Sequence, residues 1–294
     1  MPGLERRGGE HSDLSPPACL RRGQKKAFGI DPSRPHFYSL RQSRYEALAA
    51  DIDAWAAAAA AAGRTLSVLD VGCGWGVLLR YLEVRPHFPA MAVAATELPD
   101  RFVYRKEAYR RFYEGDLAAG YAAIPSESYD VVVCEQVLEH LDDVDAGLNT
   151  LVRLVRPTGR LVIGVPIFLP PLHILRRHVI PPLCERCGLR MVGSHRQAFS
   201  LSSFLRRLER YPQLEVLRVR GFRIVSGGPL RPLENFRWWW RLNRRLGELF
   251  PAACIEAQLI LRKAPGAGAS RPPPPGASGS AGAARPTGSP GITV

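Results

Sequence analysis

SVLDVGCGWG, residues 67–76, decides the fold. The apolar run 67–71 reads as a short strand buried on both faces, with Asp70 near its end and Gly72, Gly74 and Gly76 leading into a helical stretch at 76–82. Glycines at such a turn let the backbone take left-handed angles and approach a ligand closely. A dinucleotide fold spaces them GxGxxG, so that the helix start meets a pyrophosphate. Here the spacing is GxGxG, and Val77 stands where the last glycine would be. An acid beside the loop favours a ligand carrying an ammonium or a sulfonium over one carrying two phosphates.

Outward from the loop, short apolar runs at 92–96, 131–134 and 161–165 alternate with helix-like stretches, as β-α units around a parallel sheet require. The helix 144–155 is stopped by Arg156, Pro157 and Gly159. Upstream, order is expected from Phe37, with Leu40, Tyr45, Leu48, Ile52 and Trp55 at helical spacing before an alanine run that Gly63 ends. Downstream, apolar runs at 216–225 and 255–262 flank a helix-like stretch at 232–250.

Of the 294 residues, 46% are hydrophobic and 23% charged, which excludes a disordered or fibrous chain and allows one large domain. The net charge is +13, and only four of the 40 cations are lysines, so planar anionic partners are favoured. Charge is uneven, with residues 51–150 at −8 and residues 151–264 at +15. No apolar run is long enough to span a bilayer. Six cysteines without dense spacing point to a reducing compartment, and hence to a cytoplasmic protein. Residues 1–36 read as a disordered leader, 37–264 as the domain with a substrate lid at 166–215, and 265–294, with seven prolines and seven glycines, as a disordered tail.

VLDVGCGWG resembles the first motif of the class I S-adenosylmethionine-dependent methyltransferases, in particular those of quinone biosynthesis. Three acids fall at fitting offsets: Glu97 at the end of the second strand, Asp116 in FYEGDL, and Asp130 opening the fourth strand in YDVVVCEQVLEHL. The resemblance covers about residues 65–166 and adds GRLVIGVP as a fifth strand. It implies an α/β, Rossmann-like sheet of seven mostly parallel strands, an antiparallel last strand and helices on both faces. It implies S-adenosylmethionine as cofactor, held by Asp70, Gly72, Cys73, Gly74, Gly76, Glu97, Asp116, Leu117 and Glu135.

Methyl transfer to a hydroxyl needs orientation, dryness and a base. The candidate bases are Glu135, His140 and His195. Some relatives by resemblance hold a divalent ion through ExxEH; here Gln136 replaces the first glutamate, and no metal is expected. Cys184 and Cys187 form a CERC pair without the second half of a zinc site.

The resemblance makes the acceptor a small molecule or a lipid-like metabolite. Trp238, Trp239 and Trp240 beside Arg241, Arg244 and Arg245 suit peripheral contact with a membrane, and suit stacked RNA bases less well, because no appended RNA-binding module is recognisable. Packing of the tryptophans against the sheet is the plainer reading. Two rival functions stay open: an RNA methyltransferase, and a degenerate donor-binding interaction module.

Overall fold

The structure is a computed structural model that describes residues 40, 43–99, 101, 103, 105–169, 197–224 and 228–265. The leader, the tail beyond residue 265, most of the 166–215 lid, the CERC pair and His195 lie outside the described residues.

Seven strands form one sheet: β1 Leu66–Val71, β2 Met91–Glu97, β3 Arg111–Glu114, β4 Tyr129–Glu135, β5 Val155–Pro166, β6 Leu214–Phe222 and β7 Glu256–Lys263. Their order is β3-β2-β1-β4-β5-β7-β6. β1, β2, β3, β4 and β5 pair in parallel, and β7 runs antiparallel to both β5 and β6, as the expected fold class requires. Among the described residues the α-helices are α1 Ser43–Ala61, α2 Val77–Glu83, α3 Val144–Leu154, α4 Leu201–Leu208 and α5 Arg237–Leu249.

Alternation along the central strands divides the core between the two faces of the sheet. Val68, Val131, Val133, Val162 and Ile260 pack with Leu48, Ile52 and Ala56 of α1 and Leu78 and Leu82 of α2. Leu69, Val132, Ile163 and Leu259 pack on the other face with Leu148 and Leu151 of α3 and Phe204 and Leu208 of α4. Helices on both faces explain why these strands read as continuous apolar runs. Asp143 caps α3 by accepting the Asp145 and Ala146 N–H groups, and Gly63 ends the α1 segment at φ 68°.

Three local expectations need correction. β3 was not anticipated, because its four residues RFYE are exposed at both ends and form no apolar run. Arg156–Gly159 end α3 but belong to β5, where the register with β4 jumps from Tyr129↔Val155 to Val131↔Arg160 and Thr158 takes φ 63°. The stretch 232–250 is not one helix; a 3-10 helix, Gly228–Asn235, precedes α5.

Candidate functional site

The carboxyl ends of β1, β2 and β4 bring Asp70, the glycine loop, Glu97 and Glu135 together, at the end of an open α/β sheet where ligands bind. Gly72, Gly74 and Gly76 all take positive φ, at 66°, 52° and 63°, which L side chains resist. The first two serve different ends. A Cβ at Gly72 would lie 2.6 Å from Val137 Cγ2, whereas a Cβ at Gly74 would meet nothing within 4 Å. Gly72 is thus required by packing, and Gly74 faces open space.

The loop is tied to β2. The Gly72 and Cys73 N–H groups both donate to the Thr96 carbonyl at 3.0 Å, and the Gly74 N–H donates to Glu97 Oε2 at 2.7 Å. Glu97 Oε1 accepts the Leu98 N–H at 3.0 Å, so both oxygens are fixed and each keeps a lone pair for another donor. Thr96 also bonds Tyr121, with 2.9 Å between the hydroxyl oxygens. The Gly115 N–H donates to the Glu97 carbonyl at 3.0 Å, which sets Asp116 and the buried Leu117 beside the end of β2. Asp116 is exposed and accepts the Ala118 N–H.

Charge in this pocket is unbalanced. Burial, reinforced by the Glu135 and Glu97 carboxylates, pushes Asp70 from 3.8 up to about 8. The same burial and the nearby Asp70 and Glu97 carboxylates push up the Cys73 thiol, which disfavours its thiolate. A cationic ligand would supply the missing positive charge. Together with the open face of Gly74 and the free lone pairs of Glu97, this fits an S-adenosylmethionine carrying a sulfonium, an ammonium and a ribose diol.

Glu135 sits differently from a free base. It lies against Gly164, accepts from Gln258 Nε2, and pairs with Arg44 at 3.1 Å. Arg44 also donates to Glu256 at 2.8 Å, and Arg223 donates to the other Glu256 oxygen at 2.7 Å. Gln258 accepts from Arg220, which pairs with Asp51 at 2.7 Å. This buried chain of charges fastens α1 to β4, β6 and β7. Burial raises Glu135, with Arg44 and Gln258 opposing it; burial lowers Arg44, but Tyr45, Glu256 and Glu135 outweigh it and hold that guanidinium above its ordinary value.

Beyond β4, Gln136 takes φ 59°, a strained conformation for a non-glycine residue, while its N–H donates to the Gly164 carbonyl at 2.9 Å. In the 3-10 helix Leu138–His140, the fully buried Glu139 is pushed by burial to about 8, and His140 Nε2 stands 3.9 Å from its Oε1. The His140 side chain is 41% exposed. Among the described residues no group of three His, Cys, Asp or Glu side chains is arranged to hold a metal ion. Sequence reasoning missed Arg44, Thr96, Tyr121 and Gln258. Thr96 adjoins Glu97 and was within reach, whereas Arg44 is 212 residues from Glu256 and gives no local signal.

The chain matches the model of a methyltransferase domain over residues 39–256. A ubiquinone biosynthesis O-methyltransferase of Aeromonas salmonicida is 32% identical over 99 residues, 33% of this chain and 42% of that protein. An uncharacterized methyltransferase of Mycobacterium bovis is 34% identical over 100 residues, 34% of this chain and 50% of that protein. The match thus spans half or less of these curated relatives. A SAM-dependent methyltransferase from Archaeoglobus fulgidus superposes with a TM-score of 0.43 and 14% identity, over 68% of this chain and 86% of that one. With the family model covering most of the described residues and the sheet ordered as above, the chain belongs to the class I S-adenosylmethionine-dependent methyltransferase family.

Proposed function

We propose that this protein transfers the methyl group of S-adenosylmethionine to a hydroxyl of a small-molecule or lipid-linked metabolite. The observation that carries the donor half is the Glu97 carboxylate held on the Gly74 and Leu98 N–H groups beside the buried Asp70. Glu97 would accept from the ribose hydroxyls, Asp116 and Leu117 would flank the adenine, and the turn from Gly72 to Gly76, through Cys73, would form the backbone cradle. Asp70 would balance the cationic end. The bound donor supplies a methyl already activated by its sulfonium. The chain's own work is then to align the acceptor and exclude water, an effect worth about 7–11 kcal/mol in well-oriented systems.

The name of the Aeromonas relative supports a hydroxyl acceptor. With Glu135 engaged by Arg44 and Gln258, we assign the role of taking the hydroxyl proton to His140, whose ring is partly exposed. The acceptor reading extends to peripheral contact with a membrane through the helix bearing Trp238, Trp239 and Trp240. A cytoplasmic site of action belongs to the same proposal.

The test is to incubate the protein with methyl-labelled S-adenosylmethionine and separate extracts of lipids, hydroxylated aromatics and RNA. Label in an organic-extractable product, abolished by Glu97→Ala and slowed about 100-fold or more by His140→Ala, is the expected result. Label in RNA would replace the acceptor class, and donor binding without turnover in any extract would favour the degenerate module.

A further inference from the structure

The outward face of α5 is unusual for a helix on a protein surface. Trp238, Arg241, Leu242, Arg245 and Leu249 follow one another at helical spacing and are all exposed, Trp238 by 57% and Leu249 by 70%. Phe236 and Phe250, exposed at the two ends of the helix, extend the apolar area. Trp238, Arg241, Leu242 and Arg245 line one surface groove. Ordinary solvent-facing helices mix charges of both signs. This stripe carries no acid, and Arg241 and Arg245 have no acidic partner among the described residues. The nearest helix acid, Glu248, is already paired with Arg218 at 3.0 Å and Arg244 at 3.6 Å.

The opposite face accounts for the rest of the tryptophan cluster. Trp239 and Trp240 are half-buried, with their indole nitrogens enclosed and the Trp239 ring edge-on to Trp238 at 5.4 Å, and Arg244 lies over the Phe222 ring at 4.9 Å. Gly247 lets α5 approach the β6 backbone at Gly221, so closely that a side chain there would collide with it. The helix is therefore clamped onto the sheet and presents its apolar and cationic stripe as a fixed surface. Of the three tryptophans offered for a surface contact, Trp238 is exposed, whereas Trp239 and Trp240 are half-buried.

We infer that this stripe docks the protein on an anionic lipid bilayer, with α5 lying in the plane of the interface. Trp238, Leu242 and Leu249 would enter the headgroup boundary while Arg241 and Arg245 meet lipid phosphates. No helix among the described residues is long and apolar enough to cross a membrane. A second copy is a poor occupant, since apposing two such stripes would bring four unpaired guanidiniums together. The inference uses no donor-site residue and deepens the lipid-linked acceptor reading without depending on methyl transfer.

The experiment is cosedimentation of the full chain with vesicles of phosphatidylcholine alone, and of phosphatidylglycerol mixed with phosphatidylcholine, with S-adenosylmethionine affinity measured in parallel. Binding to the mixed vesicles only, weakened by salt, is expected. Two arginines at about 1 kcal/mol each predict that Arg241→Gln with Arg245→Gln lowers the partition coefficient about 30-fold. Trp238→Ser should lower it about 10-fold. Donor affinity should be unchanged in both variants, which shows that they fold and separates failure here from failure of the methyltransferase reading. No vesicle binding at any composition overturns the inference, as does binding that the variants leave intact. Capture by a single-stranded oligonucleotide in place of vesicles, lost in the same variants, also overturns it and assigns the stripe to nucleic acid.

Discussion

Asp70 gives a donor site whose affinity depends on pH. Its carboxyl is buried beside Glu97 and Glu135 and stands near 8 in the free protein, yet a cationic donor is held by the ionised form. Ionised Asp70 rises from about 3% at about pH 6.5 to about 90% at about pH 9, so affinity for S-adenosylmethionine should tighten about 30-fold over that interval. At about pH 7, binding should release protons from this group. Calorimetry in buffers of different ionisation enthalpy measures both quantities. The ligand's own titration cancels when the wild type is compared with Asp70→Asn, whose affinity should be weaker and should lack the Asp70 component. Stability follows the opposite sign. The folded value lies above the unfolded 3.8, so the contribution of Asp70 is complete below that pH and is lost as pH rises through about 8. Without donor, Asp70→Asn should therefore raise the Tm at about pH 9. Identical pH dependence in wild type and Asp70→Asn would refute the reasoning.

Two further outcomes follow from the packing. Gly72→Ala, left-handed and 2.6 Å from Val137, should cost about 2–4 kcal/mol in denaturant unfolding, while Gly74→Ala should cost about 1 kcal/mol and instead weaken donor binding at least about 10-fold. Equal effects of the two on stability would contradict the division of roles. Arg44→Met leaves Glu135 buried without its cation, while Glu256 keeps Arg223, and should cost about 3–5 kcal/mol, part of which Glu135→Gln should restore in the double variant; additive losses would show that the pair is not coupled.

What could be read from the sequence was local. The strand, acid and glycine turn at 67–76 and the acid at Glu97 lie within about thirty residues, and their spacing alone specifies a strand, a tight loop and the end of the next strand. Central strands such as β1 and β4 were legible because burial on both faces makes them uniformly apolar. β3 was not, because an edge strand with a charged residue at each end has no such signature. Glu135 illustrates the harder limit. Its place at the end of β4 was evident, but its direction is set by Gly164, Gln258 and Arg44, from three other elements. The tryptophan triplet was likewise legible as a feature, but which ring faces out depends on Gly247 meeting Gly221. A sequence pattern reports one helix face only when the opposite face is known.

The measurement that bears most directly on the account is calorimetric titration of the full chain with S-adenosylmethionine and S-adenosylhomocysteine, alongside Glu97→Ala and Gly74→Arg. Micromolar binding of both ligands by the wild type is expected. Glu97→Ala should weaken it by at least about 10-fold through loss of the ribose hydrogen bonds, and Gly74→Arg should abolish it by filling the open side of the loop. A folded wild-type protein that binds neither ligand, or a Glu97→Ala variant with unaltered affinity, would contradict the assignment of this loop as the donor site.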